Sequence, residues 1–167
     1  MTARWITALV MSAALVAGCQ RQADKMVEFS GHIFVFNYRV AAATYVVTLN
    51  KTAPIPEGAV AIADFENPMG GDPLVTKEKI YSFWTKITLE SPDVYCIRKD
   101  KPYTVNIRLV DADGKTLQSL KTTVTSNLDQ TILPSKPLVV GPDYTKNPDV
   151  FKADGSVDYG TTACPAS

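Results

Sequence analysis

Hydrophobic and polar positions alternate with period two along most of the chain after Val27, and period two is the signature of half-buried strands. Tyr103, Val105, Ile107 and Leu109 form one face of the cleanest example, with Thr104, Asn106 and Arg108 on the other. Asp111-Ala112-Asp113-Gly114-Lys115 then turns the chain into a returning strand, Thr116 to Thr125, because Asp-Gly between alternating segments favours a hairpin. In that strand Leu120, Thr122 and Val124 share parity while Leu117 is out of phase, which predicts a bulge near Ser119.

Upstream, Ile33, Val35 and Asn37 alternate with Phe34, Phe36 and Tyr38. Both faces are apolar, so this strand is expected to be central or covered on both sides. Tyr45, Val47 and Leu49 alternate with Thr44, Val46 and Thr48, and Ala59 to Phe65 is a further strand beyond the Pro54 to Gly58 turn. Asn67 to Pro73 holds Gly70, Gly71, Pro68 and Pro73, a combination that excludes regular structure and marks a hairpin or functional loop. Thr76 to Lys79 leads into a strand with Phe83, Thr85, Ile87 and Leu89 on one face and Trp84, Lys86 and Thr88 on the other. Val94 to Ile97 is short and expected at the core edge. A final strand, Thr131 to Val140, carries Pro134 and Pro137 and therefore suits an edge. After Gly141 the chain reads as a polar loop. No segment beyond the N-terminus has helical periodicity. The expected fold is an all-β antiparallel sandwich, immunoglobulin- or transthyretin-like, of about seven to eight strands, with a closed barrel as the alternative.

The first residues have a different character. Arg4 precedes an apolar run from Ile6 to Val16, and Ala17-Gly18 is a small-residue pair. This is the layout of a secretory signal peptide, and a run of about eleven residues is too short for a simple membrane span of roughly 20. Val16-Ala17-Gly18-Cys19 resembles the lipobox of bacterial lipoproteins. The resemblance implies cleavage after Gly18 and a lipid on Cys19, whose thiolate is the acceptor. Gln20, in place of an aspartate, implies the outer membrane by the same likeness. The expected organisation is a signal peptide over 1–18, a lipidated tether over 19–27, a sandwich over 28–141 and a tail over 142–167.

Removal of residues 1–18 from the 167 leaves 149, enough for one domain with a real core. The 17 basic and 17 acidic residues balance, which argues against a nucleic-acid partner and against an electrostatic membrane patch. With Cys19 assigned to lipid, Cys96 and Cys164 are the remaining pair of the three cysteines, and an exported chain is expected to join them in a disulfide. The pair has no CxxC spacing and the chain has a single histidine, so neither a metal site nor a cofactor is expected.

Pro56-Glu57-Gly58-Ala59-Val60-Ala61-Ile62-Ala63-Asp64, then Phe83 to Asp93, then Tyr103-Thr104-Val105-Asn106-Ile107-Arg108-Leu109-Val110-Asp111 with Gly114 to Leu117, follow a recognisable order. The order is similar to that of the YbaY-like and YscW-like outer-membrane lipoproteins, a family that includes type III secretion pilotins. The likeness covers about half of the chain. Residues 39–53 add a segment, and the cysteine-bearing tail lies outside the pattern. The resemblance implies a small β-sandwich with a non-enzymatic binding or chaperone role; pilotins escort a secretin by holding its C-terminal tail.

Candidate chemistry is sparse. Ser30 and His32 share a strand face without a nucleophile motif. Asp111, Asp113 and Gly114 resemble the start of a calcium loop but lack the later ligands, and turn chemistry accounts for them. The tail aspartates Asp143, Asp149, Asp154 and Asp158 form a solvated loop or a loose calcium loop. Asp64 and Glu66 form a carboxylate pair on one strand. No catalytic residue is assigned and the chain is expected not to be an enzyme. The aromatic residues Phe34, Phe36, Tyr38, Tyr81 and Trp84 either fill the sandwich or form a patch. Trp84 is expected to be exposed, with Tyr81 and Lys86 beside it as an interface for an envelope protein. The alternative is a polysaccharide, bound by the aromatic face and the Asn67–Asp72 loop.

Overall fold

In the computed structural model, which describes residues 25–160 and 163–164, the chain builds two antiparallel sheets face to face. The strands are β1 (Val27–Asn37), β2 (Ala42–Lys51), β3 (Val60–Phe65), β4 (Leu74–Lys79), β5 (Lys86–Glu90), β6 (Pro102–Val110) and β7 (Thr116–Thr125). A three-stranded sheet has the order β1-β2-β5, and a four-stranded sheet has the order β4-β3-β6-β7. A short hairpin of β8 (Val139–Val140) and β9 (Thr145–Lys146) lies beyond them. The sheets are separate layers, so the sandwich expectation holds over the barrel. β1-β2-β5 against β3-β6-β7 is the ABE-against-CFG arrangement of immunoglobulin-like domains, with β4 bonded to β3 instead of β5. Among the described residues no helix is long and apolar enough to cross a membrane.

The core is the sum of the inward parities. Tyr45, Val47 and Leu49 of β2, Ile87 and Leu89 of β5, Ala61, Ala63 and Phe65 of β3, and Tyr103, Val105, Ile107 and Leu109 of β6 are all fully buried. Phe34, Tyr45, Phe65 and Tyr103 form an aromatic centre, with ring centroids 4.3 Å apart for Phe34–Tyr45 and 5.2 Å for Tyr45–Phe65. The small residues of β3 leave room for these rings, as facing large and small side chains must interdigitate at native packing density.

Tyr103, at the start of β6, accepts a hydrogen bond from the Arg98 amide at 2.8 Å through its hydroxyl. This is the tyrosine-corner geometry of immunoglobulin-like sandwiches. Burial pushes the Tyr103 phenol up from its ordinary value, against the lowering effect of that bond. Tyr45 donates its hydroxyl to the Glu66 carbonyl at 2.7 Å and is pushed up more strongly, first by burial and then by the neighbouring Glu66 and Tyr103.

Several sequence expectations are corrected. β1 is not a central strand but the edge of its sheet, and Ile33 and Val35 are 59% and 44% exposed. Leu74–Lys79 is a strand in its own right, while β5 begins only at Lys86. The bulge in β7 falls at Leu117, because Leu109 pairs with Gln118 and Val110 with Thr116. Thr131 to Val140 is not an edge strand. It is a 3-10 turn, Gln130–Ile132, followed by irregular chain as far as the two-residue β8, since Pro134 and Pro137 have no amide to offer a ladder.

The segment after β7 returns along the sandwich end that carries the β1–β2 turn. Leu138 donates to the Arg39 carbonyl at 2.8 Å, and Val150 and Asn147 are buried. Gln130, also buried, bonds the main chain of Ile97 and Val94 on either side of Cys96. Cys96 and Cys164 lie at disulfide distance, with sulfurs 2.04 Å apart and Cα atoms 5.5 Å apart.

Candidate functional site

The strand directions sort the loops into two ends. The chain entry at Lys25, the β2–β3 link, the β4–β5 link and the β6–β7 hairpin share one end. The β1–β2 turn, the β3–β4 loop, the Cys96 segment and the tail share the other.

At the entry end, the β4–β5 link is a tight aromatic turn. Ile80 is buried and donates to the Ala59 carbonyl at 2.9 Å, which anchors the link to β3. Trp84 donates its amide to the Tyr81 carbonyl at 3.1 Å, closing the turn. The three rings touch, with centroids 5.1 Å apart for Tyr81–Trp84 and 5.6 Å for Tyr81–Phe83. Lys79 Nζ stands 5.5 Å from the Tyr81 ring centre. Phe83, Trp84, Thr85, Lys86 and Thr88 line an open groove of about 410 Å³.

Of the three residues proposed from sequence as an interface, Tyr81 and Lys86 are exposed here, but Trp84 is half-buried against the core and Phe83 takes the exposed place at 77%. The alternation of Ile87 and Leu89 does not extend back to Phe83, because the strand stops at Lys86 and the turn inverts the facing of Phe83 and Trp84. The Asn67–Asp72 loop does not join this turn. It closes the β3–β4 hairpin at the opposite end of β4, with Gly70 and Gly71 at positive φ. A single glycan site built from both is therefore not formed.

Lys51 links the turn to the chain entry. It faces Val27 in the β1–β2 ladder, donates its amide to the Thr85 carbonyl at 2.9 Å and its Nζ to the Ser82 carbonyl at 2.6 Å. Thr52 donates its amide to the Met26 carbonyl at 2.9 Å and its hydroxyl to the Lys25 carbonyl.

The second feature is the outer side of β1. Bonds from Lys51, Ser91 and Val94 to Thr85, Tyr45 and Ala43 show that alternate residues of β2 turn their main chain toward β5. Their partners on β1 are Val27, Phe29, His32, Phe34 and Phe36, whose main chain therefore points away from β2. At Val27 the Gln118 side chain fills the role of a neighbouring strand, accepting from the Val27 amide at 3.1 Å and donating to its carbonyl at 2.8 Å. Among the described residues no strand pairs with the rest of this edge. It carries no ionisable group other than His32 from Phe29 to Asn37, whereas exposed edges are ordinarily guarded by charge or proline.

The remaining candidates are structural in their contacts. Ser30 turns its hydroxyl to the Thr48 carbonyl, and His32 lies exposed on the edge. Asp111 accepts from the amides of Asp113 and Lys115, holding the hairpin. Asp64 pairs with Arg108 at 3.5 Å, and Glu66 accepts from the Thr104 amide at 2.8 Å. In the tail, hydrogen bonds from the Ser156 hydroxyl and amide hold the Asp154 carboxyl below its usual range, and Asp158 pairs with Lys136 at 3.8 Å. Among the described residues no three His, Cys, Asp or Glu side chains converge as a metal site. Cys19 and residues 1–18, read from sequence as a lipidation site and a signal peptide, lie outside the described residues.

Comparison with protein-family models, with curated proteins and with solved structures finds no match for this chain. The likeness to the pilotin-containing lipoproteins rests on the quoted residues alone.

Proposed function

We propose that the chain is a non-enzymatic docking module of the cell envelope, anchored to the outer membrane by lipid on Cys19, which binds a protein partner by adding one of that partner's strands to β1. The open β1 edge carries this reading. His32, Phe34 and Phe36 offer outward amides and carbonyls in strand spacing, and Ile33 and Val35 offer apolar contacts on the solvent face of the same strand. Strand addition takes its affinity from such main-chain pairs and its selectivity from alternate side chains. The likeness of Val16-Ala17-Gly18-Cys19 to a lipobox supports the location, and the small sandwich with an open strand edge supports the class.

The test is a photoreactive residue at Ile33 in the full-length protein in its own cells, with Thr123 on the exposed face of β7 as the comparison position. A discrete adduct from Ile33, absent from Thr123 and lost on Val35→Lys, is the expected result. Equal labelling from both positions, or none from Ile33 in normally folded protein, would reject strand addition at this edge.

A further inference from the structure

We infer that the aromatic turn Tyr81–Trp84 is a membrane contact, seated in the headgroup layer of a phospholipid surface while the strands rise away from it. The inference rests on the lipid-anchored reading above and concerns a face that reading leaves without an occupant. Three observations meet at this turn.

The first is position. Cys19 precedes Lys25 by six residues, so a fully extended tether reaches at most about 20 Å. Lys25 and Met26 are bonded to Thr52, and Lys51 is bonded to Ser82 and Thr85. Contiguous hydrogen bonds thus run from the end of the tether into the aromatic turn. A bilayer holding Cys19 cannot lie far from Phe83.

The second is chemistry. Phe83 is apolar and is the most exposed ring of the turn, while Tyr81 and Trp84 flank it as rings with a polar atom each. Tyrosine and tryptophan favour the depth where hydrocarbon gives way to headgroups. A soluble partner would have to cover Phe83 with a matched pocket, whereas a fluid interface needs no such match.

The third is the arrangement of charge. Lys51, Lys79 and Lys86 lie at the turn: Lys51 donates to the Ser82 carbonyl, while Lys79, beside the Tyr81 ring, and Lys86 have stems that can lie along apolar surface with their ammonium groups toward phosphate. Glu28, Glu57, Asp111 and Asp113 share that end, and Asp111 is turned into its own hairpin. The opposing signs make the rings, not net charge, the main source of attraction. The contact should therefore depend only weakly on salt.

Trp84 reports on this directly, because the chain holds two tryptophans and the other is Trp5. The full chain carrying Trp5→Phe is produced in a host that acylates lipoproteins and reconstituted into phosphatidylethanolamine–phosphatidylglycerol vesicles. Plain lipids are compared with lipids brominated in the upper acyl chain, which quench a tryptophan near the interface. Trp84 emission should fall on the order of twofold in brominated vesicles, the depth expected for a face seated at the headgroup boundary. Phe83→Ser with Tyr81→Ser should abolish the fall, and Tyr144→Ser at the opposite end should not. Equal emission in both lipids, from protein that floats with the vesicles, overturns the contact and leaves the anchor intact. A shift of Trp84 emission with soluble polysaccharide but not with brominated lipid also overturns it. If mass spectrometry finds Cys19 without lipid, the anchor reading fails. Quenching of Trp84 on adding brominated vesicles to that unacylated protein would then still support the contact, and its absence would reject it.

Discussion

The Gln118 side chain pairs with the main chain of Val27 as a neighbouring strand would, accepting from its amide at 3.1 Å and donating to its carbonyl at 2.8 Å. Its Oε1 also accepts from the Met26 amide at 2.7 Å. One side chain thus closes the seam between the two sheets at the chain entry. Gln118→Ala removes all three bonds and should cost about 1.5–4 kcal/mol, since each such bond contributes roughly 0.5–1.5 kcal/mol net. Hydrogen exchange should show faster exchange at Met26 and Val27, with the Phe34 region unchanged. A drop in the urea midpoint without that local change would place the effect elsewhere.

Tyr103 joins the start of β6 to the preceding loop through Arg98. Tyr103→Phe keeps the buried ring and removes the bond, so the expected loss is about 1 kcal/mol. Tyr103→Ala also empties the aromatic centre and should cost about 3–5 kcal/mol. Parallel urea titrations of the two variants separate the hydroxyl from the ring, and equal losses would contradict the corner's role.

Burial keeps the Tyr45 and Tyr103 phenols protonated in the folded chain beyond the range where free tyrosine ionises. The unfolded chain releases these protons near pH 10, so above that pH the folded state binds more protons. Stability is therefore fully present below about pH 10 and declines as the pH rises past it. The urea midpoint should fall from about pH 10 upward, and the slope should be shallower in Tyr45→Phe. An unchanged slope in that variant would show that Tyr45 does not carry the effect.

The cysteine pair closes a loop across 68 positions of sequence. Chain entropy assigns such a cross-link about 4 kcal/mol through the unfolded state. Non-reducing peptide mapping should recover Cys96 joined to Cys164. Reduction, or Cys164→Ser, should lower the thermal midpoint and release the tail first, seen as faster exchange at Asn147 to Phe151. Two free thiols in protein taken from the envelope would refute the bridge.

Alternation made β2, β3, β6 and β7 legible, because each has one wet and one dry face and period two reports that contrast directly. It misplaced β1 because a strand's own pattern does not encode its neighbours. Phe34 and Phe36 face the core while Ile33 and Val35 face solvent, and in sequence this is indistinguishable from burial on both sides. β4 was hidden for the opposite reason, since Lys77, Glu78 and Lys79 make an edge strand look like a loop. The aromatic turn was visible in composition, but its facing was not: Phe83 and Thr85 continue the phase of Ile87 and Leu89 straight through a turn that breaks it. The pairing of Cys96 with Cys164 was legible from counting together with the lipobox likeness that assigns Cys19 to lipid.

The length of β1 also sets a height. Its eleven residues, Val27 to Asn37, begin at the chain entry and end at the opposite end of the sandwich, a span of about 36 Å at roughly 3.3 Å per residue. With the entry end on a lipid surface, each outward amide of β1 stands at a fixed elevation, Phe29 lowest and Phe36 highest. A strand captured there would be held upright and in register, so the domain would act as a measuring post that sets how far from the bilayer its partner is gripped.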